Sequence, residues 1–395
     1  MRLLACLLLA SAPPSAPVQD LPTPTGQAAI GTVTYEWVDS SRAEVVELFK
    51  WDPDAGRLTT VPANGNRRIV AQLWYPATDS GARLERAPYN PDIEAFAATM
   101  TDSARVATYR RTATHALGGA PLAPGGRLPV LVFSPGGGTF RADYTALYED
   151  LASHGYVVVA VSHPGITLMS LTDGRIGSEW TGWRPPPGLS MSLERDSLRK
   201  SAEFFARTRD AYSAGDIRFV LDQLRALDLG SAEDRFTGRL DLARVGAFGH
   251  STGGAVVAAA ALAEPRIRAV IVYDVILPRM LLGEELAVPL MLFGTDDTRY
   301  PPGWHVLQRE TFTHLRSTGY EVIIRGGGHN SFSDRALLTP SRYPYRLKAD
   351  RAMEAIRSYT RAFFDTHVRG RPSALLNAGV SHPEIALTMH PARTG

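Results

Sequence analysis

The sequence predicts an α/β fold: a mainly parallel central sheet, helices on both faces, and an antiparallel edge at its N-terminal end. Three observations lead there. From Leu128 onward, short apolar runs alternate with amphipathic ones, the pattern of strands buried on both faces and separated by helices. The stretch Arg244-Val245-Gly246-Ala247-Phe248-Gly249-His250-Ser251-Thr252-Gly253-Gly254 reads as a buried strand, a sharp turn and the start of a small-residue helix. Residues 30–38 and 67–75, by contrast, alternate as half-buried strands do.

The elements follow in order. Residues 1–28 read as a signal peptide and a flexible lead-in, in which Leu3 to Ala12 are apolar after Met1-Arg2 and small residues follow. Export to the periplasm or the medium is the expectation, and a cytoplasmic location follows if that short signal does not function. Turn signals at 52–56 and 63–66 separate the N-terminal strands. A helix is predicted over 91–100 and a Gly/Pro loop over 118–126. Strands at 129–133 and 156–161 flank a helix at 144–154 that Gly155 ends. Residues 162–192, rich in Gly, Pro and Trp, read as an insertion over the sheet. Helices at 193–209 and 216–227 precede the strand at 240–248 and the helix at 255–263. Strands at 267–273, 289–293 and 320–324, with a helix near 306–317, complete the alternation. A final helix spans 350–368, and residues 371–395 show no periodicity and read as a tail. Residues 29–370 are thus expected to form a single domain.

Composition bounds the function. Of 395 residues, 44% are hydrophobic and 21% charged, which is globular. A net charge of +2 with interspersed signs gives no sign of a nucleic-acid surface, and no nucleic-acid partner is expected. Cys6 is the only cysteine, so the chain can build neither a disulfide framework nor a cysteine metal site.

The chemistry centres on Gly249-His250-Ser251-Thr252-Gly253, a G-x-S-x-G match between a predicted strand and a predicted helix. In a nucleophile elbow of an α/β-hydrolase, the strained turn pushes the serine Oγ out over the sheet edge. The hydroxyl then needs a base and an orienting acid, in the chain order Ser, acid, His. His329, in Arg325-Gly326-Gly327-Gly328-His329-Asn330 directly after a strand, is placed to be the base. The acid has two positions. Asp274 ends the strand after the elbow, and Asp296 and Asp297 end the one after that; the residues alone do not separate them. The oxyanion donors are expected from Thr252 N–H and from Gly137, in Phe133-Ser134-Pro135-Gly136-Gly137-Gly138. Trp180 and Trp183 in the insertion would wall the substrate pocket. A serine mechanism needs no metal and no cofactor.

A family resemblance adds to this reading. The block from Val130 to Gly138, Phe140-Arg141, Asp150-Leu151-Ala152-Ser153-His154-Gly155-Tyr156, Gly249-His250-Ser251, Val272-Tyr273-Asp274 and Gly328-His329-Asn330 with Phe332 and Asp334 resemble the platelet-activating factor acetylhydrolases of the plasma (isoform II) type. The resemblance covers about residues 65–365. It implies a metal-independent esterase for short or oxidised acyl groups on phospholipids, transient contact with a lipid surface, and Asp274 as the acid. Pro135 and Gly137 depart from that family's histidine and bulkier apolar residue, which alters the pocket. A polyester or dienelactone-type hydrolase is the rival within enzymes. A non-catalytic binding protein is the rival outside them, although a binder has no need of Ser, His and Asp together.

Overall fold

The computed structural model describes residues 19–78, 84–178, 195–230, 235–277, 286–300, 303–377 and 382–392. Ten strands form its main sheet: β1 (Ala29–Ala43), β2 (Asn66–Ala77), β3 (Leu117–Gly118), β4 (Leu128–Ser134), β5 (Val157–Ser162), β6 (Leu240–His250), β7 (Ile267–Tyr273), β8 (Leu290–Thr295), β9 (Gly319–Ile324) and β10 (Ile385–His390). Their spatial order is β10-β9-β8-β7-β6-β4-β5-β2-β1-β3. The run from β9 to β5 is parallel throughout. β2 joins β5 antiparallel and β1 joins β2 antiparallel, so the N-terminal edge has the expected sense.

Alternation along each central strand sends side chains to two separate cores. Leu131, Phe133, Phe248 and Ile271 pack with helices α1 (Thr145–Ser153) and α4 (Ala349–His367). Val130, Val132, Ala247 and Val270 pack with α2 (Ala211–Asp228) and α3 (Thr252–Ala263). Helices therefore cover both faces. In such a sheet the ligand edge lies beyond the C-terminal ends of the strands.

Three segments depart from expectation. The end of the lead-in is tied down: Leu21 is buried, Thr25 N–H donates to Asp150 Oδ1 at 2.8 Å, and Arg357 donates to the Pro22 and Thr23 carbonyls. The C-terminal stretch read as a tail supplies β10, which pairs antiparallel along all of β9 and stacks His390 on Phe312 at 4.1 Å. Ile385, Leu387 and Met389 do alternate, but over a run too short to register as a pattern. Pairing satisfies the backbone groups that the β9 edge would otherwise expose. Finally, the insertion begins with a hairpin, Met169–Ser170 with Arg175–Gly177, which extends the Leu48–Asp52 and Arg57–Val61 pair into a four-stranded second sheet. Among the described residues no helix is long and apolar enough to cross a membrane.

Candidate active site

β6 ends at His250, and α3 begins at Thr252. Ser251 between them has φ 53° and ψ −126°. A left-handed φ strains a serine and persists only where the surroundings fix it. Here Ser251 N–H donates to the Tyr273 carbonyl at 2.8 Å, and Ser251 O accepts from Gly254 N–H at 2.9 Å. Gly253 is required by close approach. A Cβ there would lie 2.0 Å from Ser134 O and 2.5 Å from Pro135 O. The elbow thus rests directly on the loop that follows β4.

Asp274 follows β7 and also has a positive φ, 50°. Among the described residues it shares that strain with Ser251 and with no other non-glycine residue. Its carboxylate is fully buried, and its Oδ2 lies 2.8 Å from His329 Nδ1. A carboxylate only accepts, so Nδ1 carries the hydrogen and Nε2 of the neutral ring is left as the acceptor. His329 reaches this position on the Gly326-Gly327-Gly328 loop after β9, and its side chain is 33% exposed.

Two side chains that the sequence reading missed surround the Asp274 carboxylate. The Tyr300 hydroxyl donates to Asp274 Oδ2, and Gln308 Nε2 donates to Oδ1 at 3.2 Å. Burial first, then the adjacent Asp274 charge, push the Tyr300 hydroxyl pKa up, so it stays a protonated donor. The signal lay in the loop after β8. That loop offers Asp296 and Asp297 as acids and delivers a hydroxyl instead.

Asp296 and Asp297 are engaged elsewhere. Asp296 accepts from Gly326 N–H at 2.5 Å and pairs with Arg346 at 2.9 Å. Asp297 pairs with Arg299 at 2.6 Å, and that hydrogen bond holds its carboxyl below the usual range. Both brace the turn and the histidine loop. The structure therefore joins Asp274 and His329 and sets Ser251 beside Asp274, the three following β7, β9 and β6 at the C-terminal edge of the sheet.

In the loop after β4, Gly136 N–H donates to the Tyr144 hydroxyl at 3.1 Å and Gly138 N–H to the Ile166 carbonyl at 2.9 Å. Arg335 donates to Gly138 O at 2.9 Å. Between these anchors Gly137 N–H has no acceptor among the described residues, and neither does Thr252 N–H at the start of α3. His250 occupies the first variable position of the G-x-S-x-G motif. Its ring centroid lies 4.5 Å from that of His329, and its Nδ1 lies 2.9 Å from the Tyr144 hydroxyl. Burial, then the charge of His329, hold His250 well below the usual histidine range, so it stays neutral. A cleft of about 570 Å³ opens beside the histidine loop, lined by Asp296, Asp297, Arg299, Gly327, Tyr345 and Arg346 among others. Trp180 and Trp183 lie outside the described residues.

The chain matches the family described as platelet-activating factor acetylhydrolase, isoform II, over residues 57–167 and 216–364. Those segments contain Gly137, Ser251, Asp274 and His329 and omit most of the insertion. The chain is 28% identical over 306 residues to a platelet-activating factor acetylhydrolase of Bos taurus, covering 72% of this chain and 68% of that one. It is 24% identical over 291 residues to one of Cavia porcellus, covering 69% and 65%. It thus spans about two thirds of the length of these relatives. A solved structure, the ferulic acid esterase from Streptomyces cinnamoneus, aligns with a TM-score of 0.71 at 30% identity, covering 94% of this chain and 99% of that one. The architecture is an α/β-hydrolase fold.

Proposed function

The chain belongs to the platelet-activating factor acetylhydrolase isoform II family of ester hydrolases, and from that premise we propose that it is a metal-independent serine esterase with Ser251 as nucleophile. The observation that carries this reading is the 2.8 Å bond between His329 Nδ1 and a fully buried Asp274, beside a serine held at positive φ on a strand-to-helix turn.

Ser251 Oγ attacks the ester carbonyl carbon while His329 Nε2 takes its proton. The carbonyl π pair moves to oxygen, where Gly137 N–H and Thr252 N–H stabilise the charge. Asp274 holds the imidazole in the productive tautomer and stabilises the imidazolium. Collapse of the tetrahedral species breaks the bond to the alcohol, which leaves with the proton from His329. Water repeats the sequence on the acyl-serine and regenerates the enzyme.

The family favours short acyl esters, including acetyl or oxidised phospholipids met at a lipid surface. A second reading, esters of hydroxycinnamic acids, is favoured by the likeness to the ferulic acid esterase, which spans nearly all of both chains. The Leu3 to Ala12 run supports export. A fluorophosphonate probe should label Ser251. Ser251→Ala should lose labelling and at least about 10⁴-fold in turnover while keeping its melting temperature; near-normal turnover would refute the assignment. Turnover on nitrophenyl esters of increasing chain length, an acetyl phospholipid and methyl ferulate separates the two substrate readings.

A further inference from the structure

A second Ser–His–Asp chain runs through the interior. Ser134 Oγ lies 2.9 Å from His163 Nε2, and His163 Nδ1 lies 2.8 Å from Asp216 Oδ2. All three side chains are fully buried. Asp216 also accepts from Arg67 Nε and Nη2, both at 2.7 Å, and from Arg42 Nη2 at 2.8 Å. Burial alone would raise its pKa, but the Arg67 charge and hydrogen bonds outweigh burial and hold the carboxyl well below its ordinary range. Asp216 is therefore an acceptor. His163 Nδ1 must carry a hydrogen, and the ring is locked in orientation with Nε2 on Ser134.

These residues come from four elements. Ser134 closes β4, His163 directly follows β5, Asp216 lies on α2 and Arg67 on β2. What they surround is the loop that carries Gly137. His163 holds its first residue through the Ser134 hydroxyl. The turn that His163 opens holds its far end: His163 O accepts from Ile166 N–H at 3.0 Å, and Ile166 O accepts from Gly138 N–H at 2.9 Å. Gly137 N–H lies between the two anchors. The Ser134 and Pro135 carbonyls are also the atoms against which Gly253 packs, one residue beyond Thr252. A shift at Ser134 would move both N–H donors.

We propose that Ser134, His163 and Asp216 are positioning residues that fix the Gly137 and Thr252 N–H groups on the developing oxyanion. The proposal rests on the reading of those two groups as oxyanion donors. Ser134 itself is sealed from any substrate, so it is not a second nucleophile.

The test is Ser134→Ala, with turnover counted per site titrated by a fluorophosphonate, so that misfolded protein does not enter. We expect kcat to fall about 10- to 100-fold with KM nearly unchanged, the pattern of lost alignment. The inhibition constant of a trifluoromethyl ketone analogue should rise by a similar factor, because its serine adduct carries the oxyanion. Ser134→Cys, close in shape with a weaker donor, should fall between wild type and alanine. His163→Gln should move kcat and ketone affinity in the same direction, and it serves if the alanine variant does not fold. If kcat and ketone affinity per site stay within about twofold while only the melting temperature falls, the role is structural and the proposal is wrong. If wild type is itself unlabelled and hydrolyses no ester, the esterase reading falls, and that result is distinct from the first.

Discussion

The molecule contains two His–Asp pairs, His329 with Asp274 and His163 with Asp216, each bonded at 2.8 Å and each accompanied by a serine, Ser251 and Ser134. They differ in three physical respects. Ser251 is half-buried and His329 partly exposed, whereas Ser134, His163 and Asp216 are sealed. Ser251 and Asp274 sit at positive φ, while Ser134 ends a regular strand in register with Gly249. Asp274 is steadied by neutral donors, Tyr300 and Gln308, which leave its charge available to an imidazolium. Asp216 is bound by Arg67 and Arg42, which consume that charge. On the proposed reading, the same three residue types make a reactive centre where access, backbone strain and an uncompensated carboxylate coincide. Where they do not, the proposed role of the trio is to position backbone donors.

That contrast can be broken by exchanging aspartate for asparagine in each trio. Asp274→Asn should cost about 10⁴ in turnover, because the imidazole loses its orienting acceptor. Asp216→Asn should lower kcat per titrated site about 10-fold, through the loosened His163, and cost about 3–5 kcal/mol of stability, since it leaves the buried Arg67 with Glu44 as its remaining carboxylate partner. Asp296→Asn should change stability by about 0.5 kcal/mol or less and turnover little. Turnover and denaturant unfolding of the three variants decide it. A collapse of rate in the Asp296 variant with Asp274→Asn still active would transfer the acid to the later loop.

Acid sharpens the comparison next. Asp216 has a folded pKa below its unfolded value of about 3.9. Between those values the unfolded chain binds more protons, so the stability Asp216 contributes is present above about pH 4 and is lost as pH falls below it. Melting temperature should drop less steeply with acid in Asp216→Asn than in wild type. Parallel curves would mean that Asp216 does not carry that stability.

The smallest effect is expected at the insertion. Trp183→Ala should alter the ratio of acetyl to hexanoyl nitrophenyl ester turnover by a few-fold at nearly constant melting temperature. An unchanged ratio would remove Trp183 from the substrate pocket.

Much of the candidate site was legible because its signals are short-range. An apolar strand, Gly249 and Gly253 about Ser251, and a small-residue helix specify the elbow within a dozen residues. A glycine run after a strand exposes His329 just as locally. The acid was less so. Asp274 and Asp296 both end strands, and the choice depends on where each side chain finds its donor: Asp274 at His329, Asp296 at Gly326 N–H and Arg346.

The sequence by itself determined the class of fold and the position of the strand-to-helix turn that carries Ser251, since strand and helix periodicity and turn chemistry are properties of neighbouring residues. Only the tertiary structure decided the rest. It joined β10 to β9, brought Tyr300 to Asp274, and set Ser134 on His163 and Asp216 on Arg67 across 149 positions of chain. Such contacts depend on how separate elements pack. A buried polar side chain bonds to whatever donor or acceptor that packing presents, and spacing along the chain carries no record of it.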